Sequence, residues 1–208
     1  MTNVISIWSA EEPLILASKS TVRAELLKKV GFIFSIQSAD IDERTIENKL
    51  DLSEKTPRKI ALMLAEAKAV AVSHNNPNAW VIGADQTLEF ENNILHKVTT
   101  RQEAETQLLS MSGKTHQLHS AIAIVRDNKI FSLKVQTALL NMRPLSRKDI
   151  QTYCDLAQDT LFQSVGSYQY EGIGRHLFES MEGREDVILG FPLDPIIEFF
   201  RSAGCLTF

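Results

Sequence analysis

Hydroxyls and an arginine at a helix start, isolated lysines beside apolar segments, and carboxylates next to buried strands all suit one chemistry, the handling of phosphate. Ser18-Lys-Ser-Thr21 follows the apolar run Leu14-Ile-Leu-Ala17 and leads into Arg23. The free backbone N–H groups of a helix start, its hydroxyls and Arg23 would form a phosphate seat, with the helix dipole adding to the attraction. Simple capping of the helix by the same hydroxyls is the plainer reading. Asp85 follows Val81-Ile-Gly-Ala84 and is expected to project from the end of a buried strand, where polar residues of α/β enzymes face a crevice. The alternative is an Asx turn with Gln86 or Thr87. Asp40, Asp42 and Glu43 offer more hard oxygen ligands, and Mg²⁺ takes one or two carboxylates plus substrate phosphates. Otherwise they form a solvated acidic loop. Lys68 and Lys97 could neutralise phosphate oxygens or simply extend their heads into water.

The elements that must position these groups follow from local signals. Leu14 to Ala17 reads as a strand feeding a helix that places Val22, Leu26, Leu27 and Val30 on one face and stops at Gly31. A second helix starts at Thr56-Pro57, an N-cap followed by proline at the first helical position, and runs to His74-Asn-Asn-Pro77 with Lys68 in its later half. Trp80-Val-Ile82 is a strand, followed by a hairpin around Asn92-Asn93. Thr100 with Glu103 forms a capping box for a third helix, which ends at Gly113. Strands over 116–126 and 129–140 join at Asp127-Asn128, and a fourth helix begins at Ser146. Short strands precede a last helix through Ile196 and Phe200, closed by Gly204. Strands and helices without strict βαβ alternation give an α/β chain with a mixed, hairpin-rich sheet.

Other readings fail on spacing. Ser112-Gly-Lys-Thr115 lacks the first P-loop glycine, since Leu108 stands there, and it follows a helix instead of opening one. Gly172-Ile-Gly174 has Leu177 where a dinucleotide fingerprint needs its third glycine. The five histidines show no ligand spacing, and Cys154 and Cys205 form neither a zinc motif nor a disulfide framework. A length of 208 residues with 44% hydrophobic and 23% charged residues fits one globular domain over 1–208. A net charge of −4 excludes a positive field for a nucleic-acid polymer. With no basic-then-apolar leader and no bilayer-length apolar run, a cytoplasmic protein without membrane association is expected.

Leu14-Ile-Leu-Ala-Ser-Lys-Ser-Thr-Val-Arg-Ala-Glu-Leu-Leu27, Val81-Ile-Gly-Ala-Asp85 and Leu189-Gly-Phe-Pro-Leu193, with the segments between them, resemble the Maf-like nucleoside triphosphate pyrophosphatases. Leu14 to Leu27 is similar to their amino-terminal signature of strand, SxSPRR-type turn and helix. Ile41-Asp-Glu43, Leu64-Ala-Glu-Ala-Lys-Ala69, Val81-Ile-Gly-Ala-Asp85, Ile94-Leu-His-Lys97, Leu109 to His116 and Val165-Gly-Ser-Tyr168 follow in the family's order. Gly172-Ile-Gly174, Leu177-Phe178, Glu182-Gly183 and Leu189-Gly-Phe-Pro-Leu193 complete the pattern. The resemblance implies an α/β fold, like that of inosine triphosphatases, with two lobes flanking a deep nucleotide-binding cleft. It implies hydrolysis of a nucleoside triphosphate between the α- and β-phosphates, with Mg²⁺ or Mn²⁺ as cofactor. Position by position, Asp85 matches the catalytic acid, Glu43 and Asp85 the metal-associated acids, Ser18 and Arg23 the phosphate turn, and Lys68 and Lys97 the phosphate-facing lysines.

The departures bear on substrate. Thr21 replaces the family's proline, Val22 the first of its paired arginines, and Val98 the proline after the lysine motif. Gln86 stands where the dTTP- and UTP-preferring branch has Thr, and Glu171 where it has Gln, both resembling the 7-methyl-GTP branch. Glu171 would face the cationic methylated base or join the metal shell. Other modified nucleotides, a dTTP or UTP preference, and a nucleotide-binding regulator of cell division or septum formation are the alternatives. The expected partner is the nucleoside triphosphate, with a homodimer open. Arg23 and Lys97 are expected to be surface cations whose removal weakens triphosphate binding and leaves stability nearly unchanged.

Overall fold

The structure, a computed structural model, describes residues 6–48, 50–51 and 55–208. The strands form one mixed sheet of order β2-β1-β3-β5-β6-β7, with β4 paired to β3. Strand β1 (Leu14–Ala17) runs parallel to both β2 (Ser35–Ile36) and β3 (Trp80–Phe90), with Leu14 opposite Trp80 and Ala17 opposite Gly83. The carboxyl end of β1 therefore lies beside the middle of β3, immediately before Asp85. Strands β5 (Thr115–Arg126) and β6 (Lys129–Met142) are joined at Asp127 and Asn128, both with positive φ as the tight hairpin turn demands. Strand β7 (Phe178–Glu182) is antiparallel to β6.

The chain divides into two compact units. The first comprises Met1–Gln86, Ser120–Gln136 and Gly190–Phe208. On one face of its strands Leu14, Leu16, Trp80, Ile82, Ala84, Ile122 and Ile124 pack with Leu27 of helix α1 (Thr21–Lys29) and with Ile196 and Phe200 of the last helix, α7 (Leu193–Ser202). On the other, Ile15, Ala17, Val81, Ala121, Ala123 and Val125 pack against Ala61, Ala65, Ala69 and Val72 of α3 (Pro57–His74). Apolar residues on both faces of β1 and β3 are what parallel strands covered by helices require. Between β2 and α3 lies the short helix α2 (Glu43–Glu47).

The second unit, Thr87–His119 and Thr137–Leu189, has its own core. Leu88, Leu118 and Leu140 of its strand segments pack with Leu108 and Met111 of α4 (Arg101–Met111) and with Ile150, Tyr153 and Cys154 of α5 (Arg147–Ala157). Both helices carry complete capping boxes, Thr100 with Glu103 and Ser146 with Asp149. Strand β4 is Asn93–Leu95, and a one-turn helix, α6, spans Glu185–Ile188.

The helix starts at Thr56, Thr100 and Ser146 lie where the sequence places them, because each cap is a local hydrogen bond. Three local expectations need correction. Asp85 is not at a strand end: β3 continues five residues past it, because Leu88 and Phe90 are buried in the second unit's core. The β3–β4 turn is at Glu91-Asn92, both with positive φ, one residue earlier than expected. Asp42 and Glu43 open α2 instead of forming an acidic loop, with Asp42 as N-cap accepting from the Thr45 N–H. Ser112-Gly-Lys-Thr115 is a helix-to-strand turn, tied by Ser112 Oγ accepting from the Leu145 N–H at 2.7 Å.

Candidate active site

Period-two alternation in β3 puts Gly83 and Asp85 on the α3 side. A Cβ at Gly83 would stand 2.2 Å from the Ala65 carbonyl oxygen and 2.7 Å from the Ala69 nitrogen, so only glycine allows this approach of helix to strand. Ile60, Ala61, Leu64, Ala65, Ala69 and Val72 form the buried stripe of α3, and Lys68 falls on the same stripe, one turn beyond Leu64. Its stem runs along that stripe and its head ends at two carboxylates. Lys68 Nζ is 2.5 Å from Asp85 Oδ1 and 2.7 Å from Glu43 Oε1. The Asp85 side chain is 11% exposed and that of Glu43 50%, so Asp85 is the desolvated member and Glu43 the one open to water. Burial raises the Asp85 pKa above its ordinary value; the charges of Lys68 and Arg23 oppose that rise and Glu43 adds to it.

Arg23 is not a surface cation. It reaches from α1 toward β3: Nε donates to the Gly190 carbonyl at 3.0 Å, and a terminal N–H group donates to the Ala84 carbonyl of β3 at 2.8 Å and to Ser18 Oγ at 3.3 Å. Burial lowers its pKa, with Asp85 and Glu43 acting in the opposite sense, and a guanidinium stays charged throughout. Ser18 Oγ also accepts from the Ser20 N–H, and Ser20 caps α1. The turn therefore uses its hydroxyls for capping and for seating Arg23.

Gln86 follows Asp85 and points to the opposite face of the sheet. Its amide nitrogen donates to Ser120 Oγ at 2.9 Å. Gly190, at φ +84°, closes over this spot: a Cβ there would lie 3.4 Å from both the Arg23 guanidinium and the Gln86 amide. Ser120 and Gly190 had no role from sequence. The trace of Ser120 in the sequence is a hydroxyl directly before the apolar run Ala121-Ile-Ala-Ile-Val125; Gly190 sits in Leu189-Gly-Phe-Pro-Leu193, which carried only the resemblance.

The first unit thus gathers Ser18, Arg23, Glu43, Lys68, Asp85 and Gln86. Lys97 and Glu171 belong to the second unit and are exposed. Two hard carboxylate oxygens converging on one point charge form a donor set that fits Mg²⁺ or Mn²⁺, which accept one or two carboxylates and complete their shell with phosphate and water. Among the described residues no group of three or more His, Cys, Asp and Glu stands where it could hold a metal ion. Among them also, no helix is long and apolar enough to cross a membrane.

The Maf-like protein family matches residues 13–203, which include every one of these side chains. The chain belongs to the Maf family. It is 44% identical over 203 residues to a protein of Nitrobacter winogradskyi called nucleoside triphosphate pyrophosphatase, covering 98% of this chain and 100% of that one. It is 46% identical over 193 residues to the 7-methyl-GTP pyrophosphatase of Brucella abortus, covering 93% and 97%. The Maf sheet here is open, with β2 at one edge and β7 at the other.

Proposed function

We propose that this Maf protein hydrolyses a nucleoside triphosphate at the α–β phosphate bond to the monophosphate and pyrophosphate. The observation that carries the reading is the desolvated Asp85 held by Lys68 against Glu43, on the strand that α1 reaches through Arg23. Asp85 orients a water and accepts its proton as the oxygen attacks the α-phosphorus, the bridging P–O bond breaks and pyrophosphate leaves. Lys68 and Arg23 stabilise charge that builds on the phosphates, and the Ser18 turn positions them. A bound divalent cation would neutralise the phosphate oxygens from Glu43 and Asp85. Lys97 and Glu171 enter by resemblance, Lys97 toward phosphate and Glu171 toward the base. A cytoplasmic location is where such substrates are found.

The nucleotide favoured by this reading is 7-methyl-GTP, supported by Gln86 and Glu171 and by the name of the Brucella relative. A carboxylate at the base gains an attraction to a cationic guanine that thymine and uracil lack. The test is pyrophosphate release from 7-methyl-GTP, dTTP and UTP with Mg²⁺ or Mn²⁺. The expected result is a higher kcat/KM for 7-methyl-GTP, which Glu171→Gln narrows by about 1 to 2 kcal/mol, the size of one charge-assisted contact. A preference for dTTP or UTP overturns the base assignment alone; binding without turnover on all of them favours the regulator. Asp85→Asn should bind nucleotide yet lose roughly 10² or more in turnover. In the wild type the acidic limb of the kcat/KM profile should lie above the ordinary aspartate value, because the base must be ionised and burial raises its pKa. Near-normal turnover in Asp85→Asn removes Asp85 from the chemistry.

A further inference from the structure

We propose that Lys68 holds the place of the divalent cation between Glu43 and Asp85 in the nucleotide-free enzyme, and that this lysine makes metal and nucleotide bind cooperatively. The inference rests on the function above for the presence of both ligands, and goes beyond it in making one side chain the link between them.

A single nitrogen lies within hydrogen-bond distance of one oxygen from each carboxylate, 2.7 Å from Glu43 and 2.5 Å from Asp85. A divalent cation bound by the same two oxygens would need ligand distances of about 2.0 to 2.6 Å, so it and the ammonium exclude each other. For a metal arriving alone the exchange is poor. It must break both ion pairs and leave a lysine, whose side chain is only 15% exposed, without a counter-charge. A triphosphate changes that balance, because its oxygens give the ammonium a new partner. The four-carbon stem, anchored on the buried stripe of α3, lets the head swing without moving the helix. Arg23 adds charge near the same carboxylates but does not replace Lys68 between them, since its Nε and one terminal nitrogen already donate to Gly190, Ala84 and Ser18. Nucleotide thus frees the carboxylates for metal, and by reciprocity metal strengthens nucleotide binding by the same factor.

The experiment measures Mn²⁺ binding by electron paramagnetic resonance on the full chain at pH 8, first with no nucleotide. Lys68→Met should bind Mn²⁺ about tenfold more tightly than wild type, and Lys68→Arg, which keeps a cation in place, should not. With a non-hydrolysable α,β-methylene GTP analogue, wild type should gain in Mn²⁺ affinity by about ten times more than Lys68→Met, after correction for metal bound by the free analogue. A second variant covers the case in which Lys68→Met does not fold. In Lys68→Ala, added methylammonium should compete with Mn²⁺ and weaken its binding, while wild type is indifferent to it. A merely structural lysine produces none of these shifts. Equal or weaker Mn²⁺ binding in Lys68→Met, or no competition by methylammonium in Lys68→Ala, overturns the proposal. None of these readouts needs turnover, so an enzyme that hydrolyses its substrate yet fails them loses only this inference, and a protein that passes them without hydrolysis loses only the activity.

Discussion

Arg23 shows how far a residue's job can move once its surroundings are known. By type it is a phosphate cation; in place it is also a clasp joining α1, β3 and the Gly190 turn through two backbone carbonyls. Arg23→Ala should therefore cost about 2 to 4 kcal/mol of stability, because buried acceptors lose their donor, and not the near-zero change of a surface cation. Arg23→Lys should recover little of it, since one ammonium cannot span both carbonyls as the planar fork does. Denaturant unfolding of both variants checks this; an unchanged midpoint in Arg23→Ala would return the residue to the surface class.

Among the elements, the pair β3 and α3 sets the distance between Lys68 and Asp85. Their approach is limited by Gly83, where an added methyl meets the backbone of α3 and not a movable side-chain end. Gly83→Ala must push helix and strand apart, at a cost of about 3 kcal/mol or somewhat more. The displacement also draws Lys68 from Asp85, so kcat should fall by more than the loss of folded protein explains. Thermal unfolding and active-site titration together separate the two effects, and a variant with normal Tm and normal kcat would show that the contact tolerates a methyl.

For the molecule as a whole, one buried group of the second unit ties folding stability to pH. In the second unit His116 is buried with Nε2 at 2.6 Å from the Tyr168 hydroxyl, and burial pushes its pKa down to about 4. The unfolded chain takes up this proton near pH 6.5, ahead of the folded one, so the contribution is fully present above pH 6.5 and is lost as pH falls toward about 4. The loss amounts to about 3 kcal/mol. His116→Gln, which leaves Tyr168 a partner but does not titrate in this range, should remove most of that decline between pH 6.5 and pH 4 in equilibrium unfolding. An unchanged slope would mean that other groups dominate acid unfolding.

Whatever depends on neighbours along the chain was legible without the fold. The caps at Thr56, Thr100 and Ser146, the Asp127-Asn128 turn and the helix that carries Lys68 in its later half are all set by hydrogen bonds and residue preferences within a few residues. The acids and cations that suit phosphate were likewise visible by type and order. Their arrangement was not, because it is fixed by packing between segments far apart in sequence. Glu43 and Asp85 meet only at Lys68, Asp85 and Gln86 face opposite sides of a strand that runs on past both, and Arg23 is turned inward by carbonyls from residues 84 and 190. No local preference encodes those meetings; the close fit of α3 on β3 and the burial of both sheet faces in the first unit decide them.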